Sequence, residues 1–193
     1  MADRVARRPS GRRARKIYGA DDAHSFLWKP VLAALELGPD DRLLDVGCGG
    51  GAFLERALET GCTAAGLDHS LEMVRLARSR LRGSAEIVEA DAARIPFADG
   101  AFTAVSSLVA FFFFTDPVAV LSEMRRVLDR RSGRAAIMTT APEAKGTPAA
   151  PYPLASRGHF YSDDELTGLA LEAGFATAAI AHRDAWSQLL VAR

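Results

Sequence analysis

The stretch Leu43-Leu-Asp-Val-Gly-Cys-Gly-Gly-Gly-Ala-Phe53 places four glycines within five residues directly behind a short apolar run, with Asp45 inside that run. A turn almost without side chains, between a strand-like and a helix-like segment, lets the backbone bend sharply and lets a ligand approach the main chain. Gly47, Gly49 and Gly51 stand at alternate positions. The glycines alone do not name the ligand, because Gly47, Gly49 and Ala52 also satisfy the G-x-G-x-x-A dinucleotide fingerprint.

The rest of the chain alternates in the same way. A helix is predicted over residues 21–37, with Phe26, Leu27, Val31, Leu32 and Leu35 on one face and Pro30 disturbing its middle. "RLLDV", "TAAGLD", "AEIVEAD", "AFTAVSSLV" and "GRAAIMTT" are strand candidates. Between them lie the helical segments "AFLERALETG", "SLEMVRLARSRL", capped by Ser70, and "DPVAVLSEMRRVL". Such alternation predicts an α/β fold of three layers, a doubly wound and mostly parallel sheet covered on both faces. After Thr140, residues 141–161 are rich in proline, glycine and alanine, as expected of a lid. Ser162 and Glu165 have capping-box spacing at the start of a last helix that Gly174 stops, and two final strand candidates are close enough to pair as a hairpin.

The 193 residues suit one domain with a real core. The net charge of zero hides an asymmetry: residues 1–16 hold seven basic groups against Asp3, which leaves 17 basic and 23 acidic groups in residues 17–193. The expected organisation is a flexible basic arm, 1–16, ahead of a single mildly acidic domain, 17–193. The arginine pairs of the arm are not followed by an apolar export segment, and no stretch is long enough to span a bilayer. Cys48 and Cys62 lack paired spacing, so free thiols and a cytoplasmic location are expected. The histidines and cysteines show no metal-ligand spacing, and no metal is expected.

Charge favours one ligand class for the glycine turn. A pyrophosphate is poorly served by a carboxylate two residues before Gly47, and no Lys or Arg occurs between Leu43 and Glu55. A ligand carrying an ammonium and a sulfonium suits Asp45, and its own carboxylate can use the helix N-terminus. S-adenosylmethionine fits that description and has no phosphate. Asp68, seventeen residues after Gly51, can accept from both ribose hydroxyls. Asp91 can accept from an adenine amino group and the Ala92 amide can donate to a ring nitrogen. Asp45, Asp68 and Asp91 are expected to close three successive strands in sheet register.

From about Tyr18 onward the chain resembles the class I S-adenosylmethionine-dependent methyltransferases. "LLDVGCGGG", "GLDHSLEMV" and "EADAARIPFADGAF" look like their first three motifs, and "HFYSDDELTGLALEAGF" like their late helix. Within the class the pattern is closest to small-molecule enzymes similar to those of the ubiquinone pathway. The resemblance implies a seven-stranded sheet with the last strand antiparallel and inserted beside the fifth. It also implies S-adenosylmethionine as methyl donor, with S-adenosylhomocysteine as product, and a small-molecule acceptor attacked in line. His69 and Met73 are expected to flank adenine, Tyr18 to close over the methionine end, and Ser107 to line the cofactor site. Three departures stand out: Phe102-Thr103 replaces the Phe-Asp common in relatives, Phe112-Phe113 replaces a frequent His-His, and "DRRSG" replaces a lysine-proline-glycine-glycine turn.

Phe112 or Phe113 is expected to face an apolar or planar acceptor. His24 and His159 are candidate bases that also read as surface residues, and His182 reads as structural. Three other functions stay open on these residues: a nicotinamide-dependent oxidoreductase, disfavoured by Asp45; a nucleic-acid methyltransferase, favoured by the arm but not by the acidic body; and a cofactor-binding protein without catalysis.

Overall fold

A computed structural model describes residues 24–152 and 154–193. The basic arm, Tyr18 and the start of the expected first helix lie outside the described residues. Seven strands, β1 Arg42–Val46, β2 Thr63–Asp68, β3 Glu86–Glu89, β4 Ala104–Leu108, β5 Arg134–Thr140, β6 Ala178–Arg183 and β7 Ser187–Ala192, form one sheet. Its order is β3-β2-β1-β4-β5-β7-β6. β1 to β5 pair in parallel, while β7 runs antiparallel to both β5 and β6. The expected architecture and the inserted antiparallel last strand are therefore present.

Alternation along the strands assigns the two faces, because successive side chains point to opposite sides. Leu43, Ala104 and Met138 pack under α1 Trp28–Leu35, α2 Ala52–Leu58 and α3 Leu71–Leu81. Leu44, Val105, Ile137 and Leu190 pack under α4 Pro117–Val127 and α5 Asp163–Glu172. Side chains cap three helix starts: α3 by Ser70, α4 by Asp116 and α5 by Ser162. Asp116 accepts from the Ala119 amide at 2.9 Å, and Ser162 and Glu165 form a reciprocal capping box.

The first helix departs from its expectation. A 3-10 turn over Ser25–Leu27 leads into α1, so Phe26 leaves the apolar face and is 66% exposed. Pro30 falls in the first turn of α1. Its missing N–H is among those no helix satisfies internally, and the helix is undisturbed.

The amino-terminal edge of the sheet is tied by one ion pair. Arg134 of β5 donates to both carboxylate oxygens of Asp41, at 3.0 and 2.9 Å, and to the carbonyl of Leu35. Thr103 donates to Asp41 at 2.6 Å and accepts from the Arg42 amide. Thr103, one of the departures from relatives, thus joins this network.

The segment 141–162 is tied down near both of its ends. The Ala141 amide donates to the Trp186 carbonyl, and the His159 amide to that of Phe112. Arg183 reaches Glu143, near the start of the segment, at 2.7 Å and Asp163, just past its end, at 3.1 Å.

Candidate cofactor site

β1 lies between β2 and β4, so the chain reverses its direction of winding beside β1, the place where open α/β sheets bind ligands. The glycine turn leaves β1 there. The Gly47 and Cys48 amides both donate to the Leu67 carbonyl, at 2.8 and 3.0 Å, folding the turn onto β2. Gly47 has φ +79°, and a Cβ at that position would stand 2.6 Å from that of Ala110. Gly49 also has positive φ, but nothing lies within 4 Å of where its Cβ would be. Gly47 is therefore required by the fold, while Gly49 faces open space that a ligand can occupy. Gly51 is the N-cap of α2 and packs against Ala77 of α3.

The carboxylates form a staircase and are not level. Asp45 pairs with Gly66, two residues before Asp68; Asp68 pairs with Glu89, two residues before Asp91. The expectation of a common register is corrected: each carboxylate stands two residues further along than the last. The even step keeps Asp45 and Asp68 on the face covered by α1 to α3. An elongated ligand crossing the strand ends obliquely meets them in turn.

Asp68 is buried and accepts from the Gly49 amide at 3.0 Å and from the Ser70 amide at 2.8 Å, one bond on each oxygen. Each oxygen keeps a second lone pair, which suits two vicinal hydroxyls. His69 holds its Nδ1 3.7 Å from Asp68, with a half-exposed ring. Asp91 is exposed and accepts from the Ala93 amide at 3.0 Å; Ala92 is buried. Met73, in the first turn of α3 behind Ser70, is 1% exposed, and Ser107 is fully buried on the face of β4 opposite Ser106 and Asp45. Sequence reasoning missed Ser106, which donates to Asp45 at 2.7 Å, and Ala110, which seats Gly47. Both depend on pairing between β1 and β4, a non-local contact that leaves no pattern in the chain.

Burial pushes the Asp45 carboxyl up to about 7, with the Ser106 hydrogen bond opposing and the Asp68 charge adding. Burial likewise raises Asp68, against its bonds from Ser70 and Gly49. The Cys48 thiol is raised by burial and by both carboxylates, which keeps it protonated and unsuited to nucleophilic chemistry. Two buried carboxylates side by side are best satisfied by a cation. The residues present fit S-adenosylmethionine: acidic groups for its positive charge and its ribose, and an open glycine where its chain would pass.

A pH dependence follows. Because the folded value of Asp45 is raised, its contribution to stability is complete below its ordinary value near 3.8 and is lost as pH rises through about 7. Its negative charge appears over the same interval. Affinity for S-adenosylmethionine is expected to rise by up to about tenfold between pH 6 and 8, and Asp45→Asn to flatten the profile, as read by calorimetry. A flat wild-type profile would disprove the assignment.

Glycine turn, staircase of carboxylates and switch point together define a doubly wound nucleoside-binding domain. Residues 44–137 match the family described as "Methyltransferase domain". The chain is 35% identical over 134 residues to a demethylmenaquinone methyltransferase of Mycobacterium sp. (strain KMS), covering 69% of this chain and 55% of that protein. It is 36% identical over 136 residues to one of Thermus thermophilus, covering 67% and 59%. The chain thus spans little more than half the length of these curated relatives. A crystal structure of an S-adenosylmethionine-dependent methyltransferase from Aquifex aeolicus shares the fold, with TM-score 0.76, 20% identity and coverage of 92% and 96%. Residues 44–137 thus match a methyltransferase domain, and the fold is that of the S-adenosylmethionine-dependent methyltransferases, whose cofactor is S-adenosylmethionine.

Among the described residues no helix is long and apolar enough to cross a membrane, and no group of three or more His, Cys, Asp or Glu could hold a metal ion.

Proposed function

We propose that this chain transfers a methyl group from S-adenosylmethionine to a small acceptor with an apolar, planar body. The observation that carries the acceptor class is an aromatic cluster where the lid meets the end of β4. Phe111–Phe113 form a 3-10 turn directly after β4. Phe112 lies 4.2 Å from Phe113 and stacks on Phe160 of the lid at 6.0 Å between centroids. His159 stacks on Tyr161 at 6.2 Å, and Lys145 sits over the Phe160 ring. Phe111 and Phe112 are buried, while Phe113 and Phe114 are half-buried. Partly accessible rings of this kind are the usual lining of a site for a flat apolar ligand. The curated relatives, named for a quinone-type acceptor, support the same reading.

When bound, S-adenosylmethionine supplies an electrophilic methyl group that leaves a neutral thioether behind. The chain's part is to hold the acceptor atom in line and keep water out. Orientation of that kind lowers barriers by roughly 7 to 11 kcal/mol in well-aligned systems. In the proposed site the cofactor rests on Asp45, Gly47, Gly49, Gly51, Asp68, His69, Asp91 and Ala92. The lid and the Phe111–Phe113 turn close over the acceptor. His24 and His159 are both exposed, and neither is given a catalytic role.

A nucleic-acid acceptor is less well supported, since residues 17–193 carry more acidic than basic groups. The decisive experiment incubates the protein with S-adenosylmethionine and a metabolite extract. The expected result is a metabolite gaining one methyl mass together with S-adenosylhomocysteine. Cofactor binding with no methylated product would leave a binding protein in its place.

A further inference from the structure

We propose that Ser107, Thr139 and Gln188 form a buried polar seat that recognises a hydroxyl group on the methyl acceptor, an inference that rests on the function proposed above. The three residues occupy adjacent strands near the carboxyl ends of β4 and β5. Ser107 pairs with Ile137, and Thr139, two residues further on, pairs with Gln188 at the start of β7. Alternation puts all three on the face that also carries Val105, Ile137 and Leu190. Ser107 and Gln188 have no exposed surface and Thr139 is 2% exposed. Among the described residues, Ser107 Oγ, Thr139 Oγ1 and Gln188 Oε1 have no hydrogen-bond partner. One unpaired buried oxygen is uncommon, and three on neighbouring strands form a patch that lacks its complement.

The polarity of the patch selects that complement. Gln188 Nε2 donates to the Tyr161 carbonyl at 2.7 Å, which leaves Oε1 as an acceptor only. The two hydroxyls can each donate. A hydroxyl on the ligand satisfies the set, giving its proton to Gln188 and accepting from Ser107 or Thr139. A carbonyl leaves Gln188 unpaired, and a carboxylate sets like partial charges against it. Next to the patch stand rings suited to the body that carries such a group: Phe111 lies 5.7 Å from both Phe114 and Tyr161. Tyr161 is also the point where the end of segment 141–162 meets β7.

The probes are 2-naphthol and naphthalene, which differ by one hydroxyl, titrated into the full chain loaded with S-adenosylhomocysteine. Wild type is expected to bind 2-naphthol about tenfold or more tightly than naphthalene, because a site built to pair a hydroxyl rejects the analogue without it. Ser107→Ala and Thr139→Val should each shrink that ratio while leaving naphthalene affinity unchanged. Both variants delete an unpaired hydroxyl, so their thermal midpoints should stay at or above that of wild type. Equal binding of the two probes, binding of neither, or a ratio that survives both substitutions overturns the seat. A fall of the midpoint in both variants also overturns it, by identifying an internal water site. The S-adenosylhomocysteine titration separates the two levels. Absent cofactor binding overturns the proposed function and the seat with it, whereas normal cofactor binding without hydroxyl preference overturns the seat alone.

Discussion

Replacing Asp68 with alanine is expected to weaken S-adenosylhomocysteine binding by about 1.5 to 3 kcal/mol, roughly 10- to 150-fold, in a calorimetric titration. Two effects act together. The substitution removes a charged acceptor whose free lone pairs face the crevice, and it frees the Gly49 and Ser70 amides that this carboxylate holds at 3.0 and 2.8 Å. The glycine turn then loses its tie to the end of β2. Asp68→Asn separates the contributions, since it keeps one accepting oxygen without the charge, and an intermediate loss is expected. The unfolding midpoint serves as the control. Loss of two hydrogen bonds is partly offset by removal of a buried carboxylate whose ionisation the site already disfavours. Unchanged affinity in the alanine variant would remove Asp68 from the cofactor site.

The largest stability effect is expected at Arg134. Its fork spans Asp41, the end of α1 and the start of β4, and both side chains of the pair are largely buried, at 14% and 16% exposure. Arg134→Ala leaves Asp41 with only its bonds from Thr103 and Gly38, and frees the carbonyls of Leu35 and Glu36 at the carboxyl end of α1. Breaking this part-buried, multiply hydrogen-bonded pair is expected to cost about 1.5 to 3 kcal/mol, a sizeable share of the stability of an ordinary domain. Arg134→Lys keeps the charge but loses the fork and should recover only part of the loss. The hydrogen bonds from Arg134 hold the Asp41 carboxyl down to about 2, with those from Thr103 and Gly38 adding. Because that folded value is depressed, the pair's contribution is complete above the ordinary value near 3.8 and is lost as pH falls through about 2. The gap between wild type and Arg134→Ala in chemical denaturation should therefore be wide at neutral pH and close on acidification. A gap that is small at pH 7 would show the pair to be energetically idle.

Neither of these effects was equally visible in the chain. Asp68 could be singled out from its place behind an apolar run and its distance from the glycines, both local properties. Arg134 sits in a segment that read only as the start of a strand, and Asp41 in one that read as a turn. Their meeting requires β5, β4 and β1 to lie side by side with the strand starts aligned. The same distinction holds at the cofactor site. The glycine turn, the capping residues Ser70 and Ser162, and the alternation of strands with helices follow from short-range rules of backbone geometry and apolar periodicity. The staircase of carboxylates does not, because it depends on the register of neighbouring strands, and a level arrangement was the natural expectation.

The amino-acid order by itself determined the layered α/β architecture, the position of the glycine turn and the acidic residues around it, since each rests on patterns among residues near one another in the chain. Only the tertiary structure decided which groups share a site. It set Asp45 against Ser106, turned Ser107 to the other face of the sheet, and brought Ser107, Thr139 and Gln188 from three strands to one buried face. Those outcomes turn on side-chain direction and strand register, which are fixed by packing against distant segments.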